Sequence, residues 1–362
     1  MKTGFLSRLV TSLALVGTVL APLAPAYAGS LETEFDQAFV GPARPLLQSP
    51  AKTQPKPESA QRSQPSTVQP FIAPAAQRFY GSGLEAQLGP LTDASYGRIG
   101  IAAIDLTTGR TVTVLGDTPF PMASTSKIAI AATFLDGVDH GRLSLNASFP
   151  LMVPVKSMKY SSSVAPVRAG AMQSGQKLIE RSLIHSDNQA TDALLAAVGG
   201  PAAVNRWLRA SGITGLRLDR DIATLVRDDG EYDPARMVDQ RDSTTPRGMA
   251  QLLSGIYQGR WLSPASRSFL LATMERCETG KHRMRALLPG DARIAHKTGT
   301  LSNTSSDVGL IQTSDGRVFA VAIYVTGQGG HSGRDSKIAQ IAQTIYYGYQ
   351  GGSSDYRVAV QH

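Results

Sequence analysis

Two β-rich pairs stand near opposite ends of a long stretch of this chain and enclose a middle that reads as helix. Residues 98–106 and 111–115 are rich in Ile, Val, Ala and Thr and meet across Thr107-Thr108-Gly109-Arg110, a hairpin signal. Residues 308–313 and 317–325 repeat the device around Ser314-Asp315-Gly316. Strands so distant in sequence can share one antiparallel sheet if the text between them packs as a layer of its own. That predicts an α/β fold, an antiparallel sheet flanked by helices plus an all-helical subdomain, with a cleft between the two parts as the natural place for a site.

The middle carries its own punctuation. Pro201 follows Gly199-Gly200, and Val204, Trp207 and Leu208 recur at helical spacing before Gly212. Thr245-Pro246 and Ser263-Pro264 each set a capping hydroxyl before a proline, which suits the first helical position because no N–H is needed there. Met249, Leu252, Leu253 and Ile256 then form an apolar stripe. In a last helix expected over 335–347, Ile338, Ile341, Ala342 and Ile345 share one face and should pack back on the sheet.

The flanks read differently. Lys2 and Arg8 precede a mostly apolar run over 9–23, and Ala26-Tyr27-Ala28 offers a small-x-small cleavage pattern. Residues 1–28 are therefore expected to be a signal peptide that sends the chain to the periplasm or outside the cell; the run is shorter than the ~20 apolar residues of a bilayer span. Eight of the 21 prolines fall between Pro42 and Pro74, so 29–78 reads as a Pro-rich disordered linker with too little apolar surface to offset its ordering entropy. The folded domain is expected over 79–350 and a flexible tail over 351–362.

The formal net charge of +8 falls to +6 once Lys2 and Arg8 are removed, and the basic residues are scattered among acids, which argues against a nucleic-acid partner. The six histidines are dispersed, so no metal and no organic cofactor is expected. Cys277 is the single cysteine; it allows no internal disulfide and reads as a small core residue or an incidental thiol. A monomer is the default expectation.

Ser-x-x-Lys occurs three times, at Ser49, Ser124 and Ser174. The first lies in the Pro-rich text and the third in polar text before a helix. The second opens an alanine-rich apolar run over 128–135, which places Ser124 at a helix N-terminus with Lys127 on the same face, within reach of its hydroxyl. A partly buried lysine can give up a proton and act as base, and the helix N-terminus favours developing negative charge. Ser186-Asp187-Asn188 follows 62 residues after Ser124, and Lys297-Thr298-Gly299 follows 111 residues after Ser186.

This three-part set, in this order, resembles that of class A β-lactamases and penicillin-binding proteins. The likeness extends to Ala295-His296-Lys297-Thr298-Gly299-Thr300 and to Asp242-Ser243-Thr244-Thr245-Pro246, and covers about residues 84–349. It implies a serine hydrolase that opens a β-lactam amide through a Ser124 acyl-enzyme. Ser186 would relay a proton to the leaving nitrogen, Asn188 would hold the substrate amide, and Lys297 with Thr298 would receive the substrate carboxylate beside Gly299. The Ser124 and Thr300 backbone N–H groups would form the oxyanion hole. Tyr160 resembles the aromatic wall of the cleft, with an ordinary surface tyrosine as the other reading. Arg283, 14 residues before Lys297, fits a place from which the family supports the carboxylate pocket; a surface salt bridge is its other reading.

One departure stands out. The family carries a glutamate in Glu-x-x-x-Asn shortly after Leu-Asp-Arg, and uses it to hydrolyse the acyl-enzyme. Leu218-Asp219-Arg220 is present, but Ile222 occupies the glutamate's place. Asp221 is the leading substitute base, with Asp228, Asp229, Glu231 and Asp233 as alternatives from a longer loop. If none serves, the chain would acylate and release slowly, as penicillin-binding proteins do. A D,D-peptidase or another amide or ester hydrolase of the same fold is the remaining alternative. A Ser-His-Asp hydrolase of the α/β-hydrolase type fits poorly, because it would want Gly-x-Ser-x-Gly, which is absent.

Overall fold

A computed structural model describes residues 68–71, 83–94 and 96–358, with side chains as far as Tyr349. All fall in the second of two compact units, which begins at Gln54. The expected signal peptide and most of the expected linker lie outside the described residues.

In chain order the strands are β1 (Val68–Pro70), β2 (Gly97–Asp105), β3 (Thr111–Val114), β4 (Phe120–Pro121), β5 (Ser148–Pro154) and β6 (Val167–Ser174). They continue with β7 (Leu216–Arg217), β8 (Met237–Asp239), β9 (Ser243–Thr244), β10 (Arg293–Leu301), β11 (Thr304–Gln312) and β12 (Val318–Gly327). The helices are α1 (Leu84–Thr92), α2 (Lys127–Asp139), α3 (Gly175–Ile184), α4 (Asn188–Val198) and α5 (Pro201–Ala210). After them come α6 (Ile222–Arg227), α7 (Pro246–Tyr257), α8 (Pro264–Glu275) and α9 (His331–Val358).

The main sheet has the order β10-β11-β12-β2-β3, with every neighbouring pair antiparallel. The two hairpins expected at opposite ends of the sequence thus join through β12 and β2, where Ile101 faces Ile323. Side-chain alternation splits the core between the two faces of the sheet. Ile99, Ile101, Phe319, Val321 and Ile323 meet Leu84 and Leu88 of α1 and Ile338, Ile341 and Ile345 of α9. Ala102, Ala320, Ala322 and Tyr324 turn the other way, toward α2 and toward Met249 and Leu252 of α7. Each fully buried Ile or Leu in these layers contributes about 1.5–3 kcal/mol. The caps expected of Thr245 and Ser263 are present, accepting from the N–H of Gly248 and Ser266.

Helix α2 is the centre of the helical part: ten of its 13 residues are buried, Lys127 among them. Such a helix meets solvent only in its last turn, through Asp136, Val138 and Asp139, and its cation Lys127 must find partners inside.

Two expectations about the flanks need correction. Val68–Pro70, placed in the linker, is a strand that pairs antiparallel with β8, and the Phe71 N–H donates to the Arg236 carbonyl at 2.7 Å. Pro70 fits because an edge strand does not need every N–H. The Arg98 guanidinium, buried under this strap, stacks over Phe71 at 5.0 Å and Phe120 at 4.5 Å. At the other end α9 runs to Val358, through Gly351 and Gly352, where a tail was expected. Propagating a formed helix adds one hydrogen bond per residue, which offsets the ~1 kcal/mol cost of each glycine.

Candidate active site

Ser124 does not open the α-helix, as expected, but sits in a 3-10 turn, Ala123–Ser126, directly before α2. The chain enters the turn through Ala123 at φ 48°, a left-handed conformation costly for a residue with a Cβ. The turn is tied back by its own hydroxyls: Thr125 Oγ1 donates to the Met122 carbonyl at 2.7 Å and Ser126 Oγ to the Ala123 carbonyl at 2.9 Å. Ser124, directly before them, is half-buried.

Lys127, at the first position of α2, is fully buried. Its Nζ donates to the Ser186 carbonyl at 2.5 Å, to Ser186 Oγ at 3.0 Å and to Asn188 Oδ1 at 2.8 Å. Ser186 reaches it because its backbone is left-handed, φ 59°, and Asp187 caps α4 by accepting from the Ala190 N–H at 3.0 Å. Arg181 holds the other oxygen of Asp187 at 2.8 Å, so the turn has a fixed shape that leaves Ser186 and Asn188 to Lys127. The rival motif at Ser174 is an ordinary cap: its hydroxyl accepts from the Lys177 N–H.

Strand β10 forms the second wall. Gly299 lets it approach the Ser124 turn: a Cβ there would lie 2.8 Å from the Met122 carbonyl oxygen and 3.0 Å from the Ala123 Cβ. Lys297 and Thr298 are fully buried, and Lys297 Nζ donates to the Thr298 carbonyl at 2.9 Å.

Arg283 lies behind this strand, also fully buried, which removes the surface salt-bridge reading. It pairs with Asp335 of α9 at 2.8 Å, donates to the Gly299 and Ser306 carbonyls at 3.0 Å each, and holds Thr300 Oγ1 at 2.7 Å. One guanidinium thus fixes two strands and α9 together, through three nitrogens whose fixed planar spread a lysine could not reproduce.

The third wall is the segment from Arg220 to Asp242. Arg220 Nε meets Asp242 Oδ2 at 2.6 Å, and the N–H groups of Asp219 and Arg220 donate to Asp242 Oδ1, closing the segment into a loop. The acids expected to be alternative bases have partners: Asp228 holds Arg227 and the Tyr160 N–H, Asp229 the Ser302 N–H, Glu231 Arg241, and Asp233 Tyr96 and Asn303. Tyr160, half-exposed, donates its hydroxyl to the Asp228 carbonyl at 3.2 Å and so joins this loop.

Ile222 begins α6 and is buried in the core, so no carboxylate stands at that place. Asp221 caps the helix, its Oδ1 accepting from the Thr224 N–H at 2.7 Å. The residue that sequence alone did not single out is Asp192 of α4, four positions beyond Asn188 and so on the same face. It is buried, and its two oxygens accept from the N–H groups of Ile222 at 2.7 Å and Ala223 at 2.9 Å. Burial pushes its carboxyl up to about 7; the charge of Asp221 adds to the rise, while those N–H groups and Lys127 oppose it. Its signal was an acid in the otherwise apolar helical text Ala190-Thr191-Asp192-Ala193-Leu194.

A sequence model described as the β-lactamase enzyme family matches residues 83–349. The chain belongs to that family. The chain is 32% identical to the extended-spectrum β-lactamase PER-1 of Pseudomonas aeruginosa over 63% of its own length and 74% of the relative's. β-Lactamase AER-1 of Aeromonas hydrophila is 34% identical over 64% and 74%. Among solved structures, an ancestral class A β-lactamase superposes with a TM-score of 0.62 at 35% identity, covering 73% of this chain and 99% of that one. A β-lactamase from Chitinophaga pinensis gives 0.64 at 26%, covering 74% and 99%. The β-lactamase match spans both the sheet and the helical part and begins after β1, so the strap lies outside the matched residues. Among the described residues no helix is long and apolar enough to cross a membrane, and no cluster of His, Cys, Asp and Glu could hold a metal ion.

Proposed function

We propose that this chain is an exported class A serine β-lactamase, opening the β-lactam amide through an acyl-enzyme on Ser124. The observation that carries the reading is the convergence of Ser186 and Asn188 within 3.0 Å of Lys127 Nζ, beside a turn that β10 approaches closely at Gly299. In this reading Lys127, as the neutral amine, takes the Ser124 hydroxyl proton as Oγ attacks the lactam carbonyl. Ser186 passes a proton to the departing nitrogen, and the Ser124 and Thr300 N–H groups hold the oxyanion. Lys297, Thr298 and Arg283, the last through Thr300, place the substrate carboxylate, and Asn188 and Tyr160 line the other side.

For deacylation we assign the base to Asp221. One of its oxygens caps α6, leaving the second for a water, while Asp192 holds the Ile222–Ala223 turn against the Lys127 cluster as a positioning residue. A second reading, a penicillin binder that releases slowly, is favoured by Ile222 itself. A chromogenic cephalosporin separates these: the proposal expects multiple turnovers, lost by roughly 10³-fold or more in Ser124→Ala, and a long-lived acyl-enzyme in Asp221→Asn. A single-equivalent burst from the wild type supports the slow binder; a steady rate unchanged in Ser124→Ala contradicts both.

A further inference from the structure

Two features that set this chain apart meet on one loop. Ile222 stands where the resemblance calls for a glutamate, and the strap 68–71 lies before the matched residues. Both belong to the segment from Arg220 to Asp242: α6 opens it, and β8, the strap's partner, leads to its end. The outer limb of this segment arches over a cavity lined by Pro121, Arg220, Tyr232, Pro234, Met237 and Thr304. Side chains that border a void lack the contacts that hold a packed core in place.

The strap holds that limb from outside. Val68, Gln69 and Pro70 stand opposite Asp239, Val238 and Met237, and the Phe71 N–H reaches the Arg236 carbonyl. Phe71 then lies over the buried guanidinium of Arg98. Arg98 donates to the Pro234 carbonyl through Nε at 3.1 Å and Nη2 at 2.9 Å, to the Met237 carbonyl at 3.3 Å and to the Pro119 carbonyl at 2.9 Å. Pro119 leads through β4 into the Ser124 turn. One cation thus ties the return limb of the loop to the approach of the nucleophile, and the Phe71 ring keeps water from competing for its carbonyls. Three residues after β8, Asp242 holds Arg220, which adjoins Asp221, and its carbonyl accepts from the Met122 N–H at 2.9 Å.

We propose that Phe71 and Arg98 are positioning residues for release of the acyl group: through β8, Asp242 and Arg220 they hold Asp221 in its place beside the Ser124 turn. With Ile222 in the glutamate's place, the base stands one position earlier, and a brace from outside the matched residues fixes the loop in the shape that position needs. Neither residue touches the reacting atoms. Attack by Ser124 depends on Lys127 and its partners, which lie on α2 and α4 and not on this loop. The inference rests on the proposed roles of Ser124 and Asp221.

The test follows formation and loss of the penicillin adduct by rapid quench and intact mass, in the full chain. Phe71→Ala should acylate at the wild-type rate and lose the adduct roughly 10-fold more slowly, as expected when a reacting group is slightly misplaced. In the steady state kcat and KM should then fall together with kcat/KM unchanged, whereas a variant that is merely less stable loses kcat at constant KM. Phe71→Tyr, which keeps a ring over Arg98, should release at the wild-type rate. In the Asp221→Asn background Phe71→Ala should add nothing, because both act on one step through one group. A wild-type rate of release in Phe71→Ala, even with faster exchange in β8, overturns the proposal, as does a full further slowing in the Asp221→Asn background. A wild type that forms no adduct, or never loses it, contradicts the hydrolase reading and this inference together; equal turnover in wild type and Phe71→Ala contradicts this inference alone.

Discussion

The β10 strand and the 220–242 loop border the same Ser124 turn, yet they are held by different physics. Strand β10 is fixed by a nine-residue antiparallel register with β11, by near-complete burial, and by Arg283 behind it. The loop is held by ion pairs and backbone carbonyls: Arg220 with Asp242, Arg241 with Asp239 and Glu231, and Arg98, which donates to the Pro234 and Met237 carbonyls. Where backbone pairing and burial specify the wall, the residues match the family text; where charge pairs specify it, they depart from that text at Ile222. Ion-pair walls can be rebuilt around new lengths and new acids, because each pair is local. A strand in register cannot shift without moving every side chain on it.

This contrast can be broken from either side. The largest effect is expected in the loop: Arg220→Ala leaves Asp242 buried without its cation, a change that costs about 3–5 kcal/mol, read as a shift in the urea midpoint. If the midpoint holds, the loop does not depend on that pair. In the strand, Gly299→Val drives a side chain into the Met122 carbonyl and should displace β10 from the Ser124 turn, lowering kcat/KM by about 10²-fold with less loss of stability than Arg220→Ala. Unaltered kinetics would mean that the close approach is not used.

A smaller effect concerns Asp192. Between pH 3.8 and about 7 the folded chain keeps a proton on Asp192 that the unfolded chain has released, so this group's contribution to stability falls as pH rises through that window. Asp192→Asn should flatten that part of the Tm profile measured by calorimetry; an identical slope would contradict the assignment. The smallest effect is at the strap: Phe71→Ala removes its ring contact with Arg98 and should cost about 1 kcal/mol, with faster hydrogen exchange confined to the amides of β8. Exchange unchanged in β8 would show that β1 does not brace the loop.

What could be read from the sequence follows the same division. The two hairpins, the Thr245 and Ser263 caps and the three motifs proposed as catalytic were legible because each is a local pattern whose meaning needs no distant partner. Val68–Pro70 was not, since three residues show no period and their pairing partner lies about 170 positions away. Arg283 was half legible: its spacing suggested the pocket, but its burial depends on Asp335 and Thr300, which come together only in the fold. Asp192 was hidden for the same reason: it is a single polar residue whose partners, the Ile222 and Ala223 N–H groups, arrive from another element.

The most direct test of the central claim is the intact mass of the protein followed over time after mixing with excess penicillin, with Ser124→Ala alongside and hydrolysed drug quantified. The account predicts an adduct on the wild type that forms and disappears while many equivalents of drug are consumed, and none on Ser124→Ala. An adduct on Ser124→Ala, or no adduct and no drug consumed by the wild type, would contradict it.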